Sequence, residues 1–127
     1  MRRALAASLL ISCAFLSGCD MFYGPCIANA YASPATFKAS YANSHPVDAT
    51  LPSGTIFWLR APSQHLVALA FTADGEHRAY TTVALDRVRA QHPVTEELWI
   101  IGPQGLKLED LHNIREIRKR LPEPPKT

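Results

Sequence analysis

Glycine and cysteine are scarce in this chain, with six glycines and three cysteines among 127 residues. The glycines stand singly beside turn formers, so no glycine-rich run exists that could cradle a phosphate. No stretch is apolar enough for long enough to span a bilayer. The longest uncharged run, Ala4 to Phe15, falls short of the roughly 20 residues a spanning helix needs. An excess of charge is missing as well. The formal +2 comes from Arg2 and Arg3, and beyond them eleven basic residues balance eleven acidic ones. A neutral chain has no overall field to draw in nucleic acid, and no nucleic-acid partner is expected. Nucleophile and metal motifs are absent: there is no Gly-x-Ser-x-Gly, no His-Glu-x-x-His and no Cys/His set at metal spacing. No internal repeat is recognisable. What remains is a chain of about one domain's length, with the apolar fraction of a globular protein.

The N-terminus carries the most specific pattern. Met1-Arg2-Arg3 is a short positive start, Ala4 to Phe15 is an apolar core, and Leu16-Ser17-Gly18-Cys19 follows. Positive, apolar and small-residue regions in that order form a secretory signal. The ending resembles the lipobox of bacterial lipoprotein precursors. The resemblance covers residues 1 to 19. It implies that Cys19 receives a diacylglycerol, that residues 1–18 are cut away, and that the new N-terminus is acylated, palmitate being a typical chain. Two or more acyl chains hold a protein stably at a bilayer, at about 0.8 kcal/mol per buried methylene. The protein is then expected in the bacterial cell envelope, lipid-anchored and facing the periplasm. Asp20 resembles the retention signal that keeps enterobacterial lipoproteins in the inner membrane.

Removal of the signal takes Cys13, and lipidation takes Cys19. Cys26 would be left as the one thiol, so an intramolecular disulfide is excluded. Its strand-like surroundings favour a small buried hydrophobe over a reactive group, because residues 21–31 offer no positive charge to lower its pKa.

Residues 19–25 read as a lipidated tether, 26–121 as a single β-rich domain and 122–127 as a disordered, Pro-rich tail. The domain is a succession of short strands punctuated by turn formers. Ile27 to Tyr31 is the first. Thr36 to Tyr41 alternates apolar and polar residues, and Val47 to Leu51 returns after Asn43-Ser44-His45-Pro46. Thr55 to Arg60 follows. His65 to Thr72 is apolar on both faces, as a central strand would be. Asp74-Gly75 marks a tight hairpin with His77 to Val83 as its second arm. A short helix is expected within Ala84 to Gln91, with Leu85 and Val88 inward. Glu97 to Ile101 is a strand, and Gly102-Pro103-Gln104-Gly105 turns it back. Leu108, Leu111, Ile114, Ile117 and Leu121 form one apolar stripe at helical spacing, with Glu109 and Asp110 at the start and Arg118, Lys119 and Arg120 at the end. The expected fold is mainly β with a C-terminal helix: a small antiparallel β-sandwich or barrel-like domain.

No catalytic residues, cofactor or metal are expected, and the sequence points away from an enzyme. His65 and His77 flank the Asp-Gly hairpin with Asp74 and Glu76, which would make an acid/base or metal site only if they converged in a buried place. Glu96-Glu97 and Glu109-Asp110 read as element starts. Trp58 and Trp99 are the residues that could contact a partner, since tryptophan is favoured at binding hot spots; Trp99, inside an apolar strand, is the better fit to a core. Phe22 and Tyr23 suit the membrane interface. Arg115, Arg118, Lys119 and Arg120 could touch anionic headgroups or form a solvated face with a Glu116–Arg120 pair. The leading expectation is a non-enzymatic envelope lipoprotein whose β-rich domain binds or scaffolds an envelope protein. The alternative is a periplasmic inhibitor or immunity protein against a hydrolase or toxin, acting through Asn43 to Pro46 or Ala61 to Gln64.

Overall fold

A computed structural model describes residues 23–59 and 65–126, with Tyr23 and Gly24 described by their backbone alone. The signal segment, Cys19 and residues 61–64 lie outside the described residues.

Eight strands form two four-stranded sheets. β1 (Tyr23–Asn29), β4 (Ile56–Leu59), β7 (Glu97–Gly102) and β8 (Gly105–Asp110) make the first, in the order β4-β1-β7-β8. β2 (Ala35–Tyr41), β3 (Val47–Leu51), β5 (Leu66–Ala73) and β6 (Glu76–Tyr80) make the second, in the order β3-β2-β5-β6. The sheets pack face to face as a small β-sandwich, and neither closes into a barrel.

Alternation decides which residues face inward. Along β2, Ala35, Phe37, Ala39 and Tyr41 are buried while Thr36 and Lys38 are exposed. Phe37 and Phe57 meet edge to face across the sandwich, 5.3 Å between ring centres. The hairpins follow the turn signals. Asp74 and Gly75 both have positive φ (53° and 77°), as a type I′ turn demands, and Ala73 pairs with Glu76 around them. Gly102 pairs with Gly105 around Pro103-Gln104. β5 lies between β2 and β6, in accord with its two apolar faces.

Three differences from the sequence reading stand out, besides a hairpin arm that ends at Tyr80 instead of Val83 because the chain turns helical at Thr82. The first strand starts at Tyr23, and it runs parallel to β7, with Cys26 opposite Leu98 and Asn29 opposite Ile101. Pro25 made this stretch look like a tether. It is accommodated because the pairing of β1 with β4 shifts register between Tyr23 and Ile27, and an irregularity is where a strand tolerates proline. β1 and β7 are also covered on both faces. Ile27, Trp99 and Ile101 point into the sandwich, while Cys26, Ala28, Leu98 and Ile100 join a second cluster with Leu111 and Ile117.

The C-terminal helix is the second difference. The apolar stripe is divided among three elements: Leu108 stays on β8, Leu111 opens a 3-10 turn (Leu111–Asn113), and only Ile114–Arg120 is α-helical. β8 wins the stretch up to Asp110 because its ladder with β7 continues to the Glu97–Asp110 pair. Asp110 then caps the turn, its carboxylate accepting from the His112 N–H at 3.1 Å. This short helix, α2, follows the central helix α1 (Thr82–Gln91). Third, Arg120 bonds Glu109 at 3.2 Å and Lys119 bonds Glu116 at 3.4 Å, in place of a Glu116–Arg120 pair.

Asn29 ties one end of the sandwich together. Its amide nitrogen donates to the carbonyls of Ser33 (3.0 Å) and Leu51 (2.9 Å), and its oxygen accepts from the Tyr31 N–H (2.9 Å). Beside it the N–H of Gly54 donates to the Asn29 carbonyl at 2.9 Å. Gly54 has φ +72°, and a Cβ there would overlap the Pro122 carbonyl, so the C-terminal segment is laid directly over this turn.

Candidate functional site

Helix α1 closes one side of the sandwich. Thr81 caps it, accepting from the Ala84 N–H, and Leu85 is buried in the core. Its last turn carries Arg89, whose guanidinium reaches three elements. Nε donates to Glu97 Oε2 at 2.7 Å, Nη2 donates to Glu97 Oε1 at 3.2 Å and to the Leu66 carbonyl at 2.7 Å, and Nη1 donates to Asp86 at 2.7 Å. Burial works against the charge, but Glu97 and Asp86 outweigh it and raise Arg89 above its ordinary pKa. Trp99 completes the cluster: its indole N–H donates to Glu97 Oε1 at 3.0 Å. Trp99 is fully buried, so no face of this ring is left for the partner contact considered for it. The network is saturated with internal partners and works as a clamp joining α1, β5 and β7.

Trp58 is half-buried on the opposite face of the sheet. It packs against the cluster beneath α2, and the Arg118 guanidinium lies over its ring at 6.0 Å. Three of the four basic residues of α2 are thus engaged, Arg118 by Trp58, Lys119 by Glu116 and Arg120 by Glu109. Cys26 is buried beneath the same helix. Burial pushes its thiol up to about 11, opposed by a backbone hydrogen bond at Leu59 and reinforced by Glu96, so at neutral pH it is a protonated thiol. The hydroxyls of Tyr31 and Tyr41 are buried with no hydrogen-bond partner among the described residues, and burial raises the pKa of both.

The histidine and acid group around the hairpin does not converge. His77 sits next to the turn, opposite Thr72 and 2.8 Å from its hydroxyl, whereas His65 precedes Leu66 at the far end of β5. Asp74 is held by the hydroxyl of Ser33. Among the described residues no group of three or more His, Cys, Asp or Glu side chains is placed to hold a metal ion.

Two clefts remain. One, of about 310 Å³, lies between α2 and the β7–β8 turn, floored by Ala30, Ile100, Ile117 and Leu121 and rimmed by Lys107 and Arg120. The other, of about 330 Å³, runs between the end of α1 (Val88, Gln91, His92) and four consecutive residues of β8, Leu106 to Glu109. Lys107 belongs to both and has no ion-pair partner among the described residues. The sequence reading missed this side of the molecule, because β8 looked like a short return arm leading into a helix. The alternation Leu106, Lys107, Leu108, Glu109 was the signal that could have marked it as a full strand.

Comparison of the chain with protein-family models, with curated proteins and with solved structures finds no match.

Proposed function

We propose that this chain is a membrane-anchored lipoprotein of the bacterial envelope, carrying a β-sandwich that binds or scaffolds other envelope protein. The anchor is lipid on Cys19, and the domain faces the periplasm, with Asp20 favouring the inner membrane. The observation that carries the reading is the signal pattern of residues 1–19, positive start, apolar run and Leu16-Ser17-Gly18-Cys19 in order. β1 starts at Tyr23, so only Asp20, Met21 and Phe22 separate Cys19 from a strand inside the sheet. Three extended residues reach about 10 Å, which would hold the sandwich against the headgroups. A domain so tethered meets partners within or beside the membrane.

The inhibitor reading draws less support. Asn29, the last residue of β1, bonds the Leu51 carbonyl beside Ala35 at the start of β2, so Asn43 to Pro46, beyond the other end of β2, lies toward the start of β1. A loop within a tether's length of the bilayer is badly placed to reach a soluble hydrolase.

The test is metabolic labelling. The full chain and its Cys19→Ala variant would be produced in a Gram-negative host fed a clickable palmitate analogue. The reading requires label on the parent, none on the variant, and loss of residues 1–18. A parent without label would remove the anchor and the localisation together.

A further inference from the structure

β8 is an edge strand, and its open side is self-complementary. In the order β4-β1-β7-β8 it has a neighbour on one side only. The two-residue turn at Pro103-Gln104 fixes which backbone groups that neighbour uses. Gly102 and Gly105 are the closing, hydrogen-bonded pair, so alternation directs residues 105, 107 and 109 toward β7. The N–H and C=O groups of Leu106, Leu108 and Asp110 therefore point to the open edge. Among the described residues no hydrogen bond from another element reaches the backbone of Leu106 or Leu108. The cleft of about 330 Å³ lies along these same residues, with Val88, Gln91 and His92 at the end of α1 as its other wall.

We infer that two copies of this chain pair antiparallel through β8, joining two four-stranded sheets into one of eight strands. Charge selects the occupant and the register. Lys107 and Glu109 stand on one face of β8 and Leu106 and Leu108 on the other. Centred on Leu108, an antiparallel pair sets Lys107 opposite Glu109 of the partner subunit, and by symmetry does so twice. It also lets Leu106, Leu108 and Asp110 of each copy use their open backbone groups on the other. Centring on residue 107 would oppose two lysines, and centring on residue 109 would oppose two glutamates, both unfavourable. Centring on residue 106 would run the partner strand into the turn. Lys107 is exposed and available. Glu109 uses Oε2 for Arg120 and keeps Oε1 for a second cation. This pairing also resolves the hazard of a bare edge, which otherwise invites indiscriminate strand addition.

The test uses the full chain. In this register residues 107 and 109 form a non-hydrogen-bonded cross-strand pair, with Cα atoms about 4.5 Å apart, inside the range a disulfide can bridge. The double variant Lys107→Cys/Glu109→Cys, oxidised in the producing cells' own membranes, should give a covalent dimer that neither the parent nor either single variant gives. A dimer from Lys107→Cys alone, or none from the double variant, would overturn the register. Sedimentation of detergent-solubilised protein tests the association itself and does so whether or not Cys19 carries lipid. Lys107→Glu should weaken the dimer about tenfold, as two attractive cross-strand pairs become repulsive, and Lys107→Glu/Glu109→Lys should restore it. A parent that sediments as a monomer at every concentration, or a charge swap that restores nothing, would sink the proposal.

Discussion

The guanidinium of Arg89 lies 5.2 Å above the ring of Trp99, and both side chains bond the same carboxylate, Glu97. This triangle holds α1 against the sandwich at a point where the charged side chains are only 15% and 22% exposed. Replacing Arg89 with Ala would strand a largely buried carboxylate and leave the Leu66 carbonyl without its donor. The expected loss is about 2–4 kcal/mol, read as a lowered urea midpoint. Arg89→Lys should recover only part of it, because a lysine cannot supply the paired geometry. If Arg89→Ala left the midpoint unchanged, the clamp would be ornamental.

Gly54 tests how the C-terminal segment is held. Gly54→Ala meets both a positive φ and the Pro122 carbonyl. A strained position costs on the order of 1–3 kcal/mol, and the segment from Pro122 onward should lift away. Limited proteolysis should then remove the tail from the variant faster than from the parent. Equal cleavage rates would mean that the segment is not pinned there.

Alkaline pH should expose the buried thiol. In the unfolded chain Cys26 ionises around its ordinary 9.0, while in the fold it stays protonated up to about 11. Between those values the unfolded state binds fewer protons, so stability present below pH 9 is lost as pH rises, at about 1.4 kcal/mol per pH unit from this group. Tyr31 and Tyr41, also raised by burial, steepen the fall above pH 10. Denaturation midpoints of the parent and Cys26→Ala should diverge above pH 9, the variant declining less. Parallel curves would place the thiol in a wetter environment than the fold describes.

The two tryptophans should report separately. Trp99 is fully buried and Trp58 is half-buried beneath Arg118. Trp58→Phe should leave emission that acrylamide hardly quenches, and Trp99→Phe should leave emission that it quenches readily. The reverse order would mean that β7 is not an inner strand.

What could be read in advance was mostly local. Asp74-Gly75, the Gly102 to Gly105 turn and the alternation of Phe37, Ala39 and Tyr41 each encode their geometry within a few residues, and so do Leu85 and Val88 on α1. The parallel alignment of Cys26 with Leu98 could not be found this way, because nothing in one strand specifies a partner some seventy residues distant. Pro25 misled for a related reason: its tolerance depends on an irregularity created by the pairing with β4. The apolar stripe through Leu108, Leu111 and Ile114 satisfied helical spacing, but tertiary pairing overrode it, since Leu108 gained more from a ladder with Trp99 than from a longer helix. Arg89 and Glu97, the best-connected charged pair, meet only because the chain between them bends from α1 back into β7.

The placement of β1 bears on the order in which the chain can fold. It sits in the middle of its sheet, between β4 and β7, although it is the first strand made. Until Ile101 has emerged, Cys26 to Asn29 lack one of their two neighbours, and the apolar surface later covered by Ile117 stays open until the last helix arrives. Contacts of such long sequence separation form slowly. A polypeptide emerging amino end first could therefore pair β2, β3, β5 and β6 once Tyr80 is out, while the sheet built around β1 would close only when the last strands and the last helix had followed.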